Sequence, residues 1–301
     1  APSIGKWVDS TRLPNTKYVF VGPLSQAGVL AACLAARGFL GDDDILDGDR
    51  GFWRISGSDA CDWQVMTGDL GERWLLDEVS YKCYPACRFL HGPLDLLTQL
   101  VAVEGLEPDE IDEVVVRLPP AALRPYFRNP EPADVVEGSF SVPHVVACVV
   151  YRLPIGPTWH VPETLRRADI AEFRGRVRIE VEPQATPVIV EQLLSGAGSS
   201  VYRRCPTSLR VTARGRAFEA STDYASGDPW SAETHFSDRD LEEKFSTYTQ
   251  GIMGAAAIEA ALDAIRTLED LADVNALLFL RPPHGDVTPA APQQDQRVPM
   301  V

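Results

Sequence analysis

The sequence predicts an α+β protein in which an all-helical domain is interrupted by an α+β unit. Three observations carry this. An Ala- and Gly-rich helical run lies near the start, β-branched runs alternate with helical stretches across the middle, and capped helical segments return after residue 236. The expected organisation is a first helical part over 1–81, an α+β unit over 82–235, a helical return over 236–280, and a Pro-rich tail over 281–301.

The first helix is expected from about Gly22 to Arg37. Gly22 suits the cap, Pro23 the first helical position and Gly38 the left-handed stop. Its small residues let neighbours approach closely, so it is expected in a crowded helical layer rather than on a surface. Ser56 to Gly68 reads as weakly helical. A short extended piece, EVSYKCYPACR, then leads into a helix from about Phe89 to Val103, with Pro85 breaking the backbone between them. Val114 to Leu118 is a β-branched strand. Helices follow around Pro143 to Tyr151 and Pro162 to Phe173, and RVRIEVEP supplies a second strand. SLRVTARG and RAFEAST are two more strands, joined by a turn at Arg214-Gly215-Arg216. After the loop ASGDPWSAETHF, Ser237 and Asp240 have the spacing of a capping box. A last helix from about Gly254 to Leu268 sets Ile258, Leu262 and Ile265 on one face.

Composition narrows the function. The 301 residues are 45% apolar and 24% charged, with a net charge of −15. Such acidity argues against a nucleic-acid partner, which wants a basic face. A few cations in a cleft still suffice for an anionic small molecule. No apolar run has the roughly 18 residues that a membrane span needs. Six cysteines in a chain this long imply no disulfide framework, and no paired metal-ligand spacing occurs. With no charged-then-apolar leader pattern at its start, the chain is expected in the reducing cytoplasm. No phosphate-binding or dinucleotide loop is present, so no cofactor is expected.

Candidate chemistry concentrates in one stretch, Lys82-Cys83-Tyr84-Pro85-Ala86-Cys87-Arg88-Phe89-Leu90-His91. Lys82 and Arg88 flank a helix start, where backbone N–H groups attract anions. His91 falls about one turn into the helix and is an acid or base if it faces a cleft. The plain alternative makes Arg88 a solvated first-turn residue and His91 a satisfied structural histidine. Lys17, just before the first helix, is a further candidate, and alone it reads as a surface lysine. Ser141 and His144 open an apolar helix with a hydroxyl and an imidazole. Read without context, His144 is a hydrogen-bonded helix-start residue.

Four segments together resemble the carboxy-terminal two-thirds of the MmgE/PrpD family of 2-methylcitrate dehydratase-like and cis-aconitate decarboxylase-like proteins. They are NTKYVFVGPLSQAGVLAACLAARGFLGDDDILDGDRGF, YKCYPACRFLHGPLDLL, GSFSVPHVVACVV and SGDPWSAETHFSDRDLEEKF. The resemblance implies an all-helical domain interrupted by a lid, with the active site in the cleft between them. It implies catalytic roles for Lys17, Lys82, His91 and His144, and substrate-binding roles for Arg88, Cys87 and Ser141. Two departures stand out: Cys87 occupies a position that is histidine in some members, and His144 one that is tyrosine in some. The family's long initial helical stretch has no counterpart in this sequence, so a partner chain, cleavage or a changed function is implied. The expected activity is a cofactor-independent lyase or isomerase reaction on a carboxylated or carbonyl-activated small molecule, in an oligomer with the helical half on another chain. The alternatives are a non-catalytic structural subunit and a member recruited to specialised metabolism for cyclisation or isomerisation.

Overall fold

The computed structural model describes residues 22–46, 51–55, 57–195, 203–274 and 277. Lys17 and the Pro-rich tail over 281–301 lie outside them. The chain divides into two compact units, with the boundary between Phe236 and Ser237.

The first unit is built on a four-stranded mixed sheet of order β2-β1-β3-β4, formed by β1 (Ile111–Leu118), β2 (Val177–Val181), β3 (Thr207–Ala213) and β4 (Arg216–Thr222). β1 runs parallel to β2, with Val116 opposite Ile179, and antiparallel to β3, with Val114 opposite Val211. It is the most buried strand, as its Val-rich centre requires. β3 alternates buried and half-buried residues, the pattern of a strand with one face on a core. Arg214 and Gly215 turn β3 into β4, both with positive φ, the pairing of a two-residue hairpin turn. The unfavourable backbone at Arg214 is held by its guanidinium, which donates to Glu110 Oε1 at 2.8 Å and to the Gly105 carbonyl at 2.9 Å.

Two helices cover the sheet and fix the site. α3 (His91–Glu104) is entered through a 3-10 turn at Arg88–Leu90 and stops at Gly105 in the left-handed conformation. It buries Leu94, Leu97 and Val101. α5 (Val142–Val150) is apolar apart from His144, and all nine of its residues are buried. Its cap is Ser141, whose hydroxyl accepts from the His144 N–H at 3.2 Å. Before it, α4 (Val135–Phe140) is capped by Asp134.

Several elements differ from the sequence expectation. The helix expected over Pro162 to Phe173 is broken, because Arg167 is extended before α6 (Ala168–Phe173). A further helix, α7 (Ala185–Ser195), went unexpected; it contains Pro187 and the β-branched run Val188-Ile189-Val190. Pro187 sits in the first turn, where its missing N–H costs nothing. The largest difference is α1 (Gly22–Ala35): Gly38 stops it as expected, but none of its residues is buried. The short α2 (Trp63–Thr67) also has no buried residue.

The second unit holds α8 (Asp238–Thr249) and α9 (Ala255–Arg266). The Ser237–Asp240 capping box forms as its spacing suggests. Arg266 ties the two helices by donating to Glu242 at 2.8 Å.

Candidate active site

The segment Lys82–Cys87 is irregular backbone pinned at both ends. Upstream, the Tyr81 N–H donates to the Gly227 carbonyl at 2.8 Å. Gly227 is obligatory there: its φ is +90°, and a Cβ would stand 2.3 Å from the Tyr81 carbonyl oxygen. Downstream, the Cys87 N–H donates to the Ser139 carbonyl at 2.8 Å. Tyr84, between them, is buried and donates its hydroxyl to Asp95 at 2.9 Å. Asp95 also accepts from the Ser226 N–H at 2.7 Å, and burial raises its carboxyl above the usual range.

This pinned segment walls a cavity of about 240 Å³. Lys82, Cys87, Ser139, Phe140 and His160 line it together with Tyr84. Lys82 lies exposed at its edge, and its Nζ donates to the Ala86 carbonyl at 3.2 Å. The ammonium is thus tied back to the segment while remaining at the exposed edge. Cys87, half-buried, presents a side chain to the same cavity.

His160 is a cavity residue that sequence reasoning missed. It stands far from the other candidates in sequence, in a 3-10 turn at Pro157–His160, with no motif around it. Its Nε2 lies 2.6 Å from the Pro85 carbonyl, so Nε2 carries the proton. Nδ1 is then a lone pair, buried and without a hydrogen-bond partner, and a Cβ on Gly138 would come within 2.7 Å of it. Burial holds the imidazole below its usual pKa and keeps it neutral.

The remaining candidates lie around this cavity. His91 is fully buried, with Nε2 3.4 Å from the Ala86 carbonyl and its ring edge-on to Tyr84 at 5.4 Å. It braces the back of the Lys82–Cys87 segment. Ser141 is also fully buried, and its hydroxyl donates to the Asn129 carbonyl at 2.5 Å while capping α5. His144 is fully buried, and both its ring nitrogens are occupied. Nε2 donates to the Trp159 carbonyl at 2.8 Å, and Nδ1 accepts from Arg174 Nη2 at 3.0 Å. Burial, reinforced by the Arg174 charge, pushes its pKa down to about 3. The His144 and His160 rings lie 5.4 Å apart between centroids, tilted at 44° to each other. Arg88 faces away from this cavity, toward a second one, and pairs with Asp228. The structure thus brings Lys82 and Cys87 together on one wall and sets His91, Ser141 and His144 behind it.

Among the described residues, one group of acidic side chains is close enough to share a cation, Asp42, Asp43 and Asp44, and all three are exposed. No helix among them is long and apolar enough to cross a membrane.

The model of the MmgE/PrpD C-terminal domain matches residues 84–270, well over half of the chain. Among curated proteins the chain is similar to cis-aconitate decarboxylase of Homo sapiens, 26% identical over 274 residues, covering 88% of this chain and 53% of that protein. It is similar at the same identity to cis-aconitate decarboxylase of Mus musculus, covering 88% of this chain and 52% of that protein. The chain spans about half the length of the curated relatives it matches.

Proposed function

The chain belongs to the MmgE/PrpD family, and we propose that it carries one wall of a lyase or isomerase site that acts on a small carboxylated or carbonyl-activated molecule. The observation that carries this reading is the pinned Lys82–Cys87 segment, which sets one cation and one thiol on a shared cavity. Proton removal or decarboxylation beside a carboxylate places negative charge on the neighbouring acid or carbonyl group. A fixed ammonium such as Lys82 stabilises that charge where it develops. In this reading Lys82 touches the substrate and Cys87 borders it. His160 acts as a positioning residue through its bond to the Pro85 carbonyl, and His91 and His144 brace the wall from behind. The base that takes the proton comes from outside this wall, and Lys17, on the segment that precedes α1, is a candidate to complete the cation set.

The reading extends to assembly. The chain spans about half of its relatives' length, and α1 exposes Leu24, Val29 and Leu30. We assign its apolar surface to contact with helical chain of the kind that makes up the rest of those relatives. The cis-aconitate decarboxylases point to unsaturated or hydroxylated di- and tricarboxylates as the first acids to try.

The test is proton exchange in D₂O, with the protein in its native assembly and a panel of such acids followed by ¹H NMR. Deuterium entering the carbon beside a carboxylate, or loss of that carboxylate, is the expected result. An assembly that exchanges no proton and consumes none of the acids would leave this chain a structural subunit.

A further inference from the structure

We propose that the Lys82 cavity selects a monoanion: a small acid with one carboxylate, held at Lys82, and an uncharged ester, amide, ketone or alkyl group beside Cys87. The inference rests on the lyase reading for where the substrate sits. It narrows the substrate class of that site and departs from the di- and tricarboxylates that the named relatives point to.

An account of the polar groups on this wall carries the proposal. Among the described residues that line the cavity, Lys82 is the one charged side chain. His160 is kept neutral by burial, and its N–H is spent on the Pro85 carbonyl. The Tyr84 hydroxyl donates to Asp95, behind the wall, and the Ser139 hydroxyl donates to the Val136 carbonyl at 2.9 Å. The Cys87 thiol is a weak donor and never a cation. Val135 and Phe140 add apolar surface. Arg88, six residues from Lys82, supplies no second cation, because it lines the other cavity and pairs with Asp228.

Charge therefore selects the ligand. One carboxylate meets the Lys82 ammonium, which bonds the Ala86 carbonyl with one of its three N–H donors. A second carboxylate on the same wall would give up its water and meet a thiol and apolar side chains. An ionised group buried without a charged partner costs far more than an uncharged one. An ester, ketone or alkyl group in that place loses little water and gains contact with Val135 and Phe140.

Calorimetric titration of the protein in its native assembly with succinate, monomethyl succinate and dimethyl succinate tests this, because the three differ in charge at a shared carbon chain. Monomethyl succinate should bind tighter than either of the others by about tenfold or more, the cost of one charged group left unpaired. Lys82→Ala should bind the monoester no better than the diester. Cys87→Lys, which adds a second cation, should turn the order in favour of succinate. Should that variant melt early, Val135→Lys replaces it with the same reversal expected, since Val135 lines the cavity and is 55% exposed. The same acids followed by ¹H NMR in D₂O keep the two claims apart. Preference for the monoester without proton exchange upholds the selection and removes the lyase reading, whereas exchange into succinate without that preference does the reverse. Succinate bound as tightly as its monoester, no heat from any of the three, or a folded lysine variant that still prefers the monoester would overturn the proposal.

Discussion

Individual side chains decide the chemistry, and the histidines divide by what holds their nitrogens. His144 is locked between the Trp159 carbonyl and Arg174, and its protonation would set an N–H against the Arg174 N–H. Above about pH 6.5 the imidazole is neutral whether folded or unfolded. Below that, the unfolded ring takes a proton that the folded one refuses until its pKa of about 3. Stability should therefore fall on acidification through that window, by about 1.4 kcal/mol per pH unit for each such histidine. His160, also held low by burial, adds in the same direction. Urea unfolding between pH 4.5 and 7.5 should show this slope, and His144→Gln, which keeps both hydrogen bonds without titrating, should flatten it. An identical slope in that variant would remove His144 as a source. At this scale the sequence was partly legible. The cluster of Lys82, Cys87 and Arg88 marked a segment that walls a cavity, but nothing in it said that Arg88 turns to a different cavity from Lys82. His160 left no local signal, because its cavity is assembled across chain folding that only the structure displays.

Elements explain why the segment holds its shape. The loop Ser226-Gly227-Asp228 anchors it: Gly227 carries Tyr81, Ser226 reaches Asp95, and the buried Asp228 accepts from Ser80 at 2.6 Å as well as from Arg88. Gly227→Ala meets both a positive φ and a close carbonyl, a strain on the order of 1–3 kcal/mol. The melting temperature should drop by several degrees, and turnover per folded molecule should fall with it, because the Lys82 wall loosens. An alanine variant with wild-type melting and turnover would separate this loop from the site. The strands and the α8 cap were legible because β-branched runs and the Ser237–Asp240 spacing act locally. The α7 helix was not, since its Val and Ile residues favour strand locally.

At the scale of the whole molecule, the exposed apolar residues form a pattern. Besides those of α1, Leu70, Trp74, Leu75 and Leu76 are exposed. In the proposed assembly these apolar side chains are covered by a partner. Light scattering on the isolated chain should find oligomers or aggregates that a helical partner resolves. A monodisperse monomer would contradict the proposed assembly. The sequence suggested that α1 belongs in a helical layer, and its composition still says so, but the layer itself is not among the described residues. The central claim is that the Lys82 cavity performs chemistry, and it is tested most directly by Lys82→Ala. Lys82 is exposed at the cavity edge, so its loss should leave the melting temperature unchanged. Loss of one preorganised electrostatic contact should lower turnover per folded molecule by roughly 10²–10³. The measurement is proton exchange or substrate loss for wild type and Lys82→Ala, with and without EDTA, beside thermal melts. The account predicts wild-type turnover that survives EDTA and a folded variant that has lost it. A folded Lys82→Ala protein with wild-type turnover would contradict it.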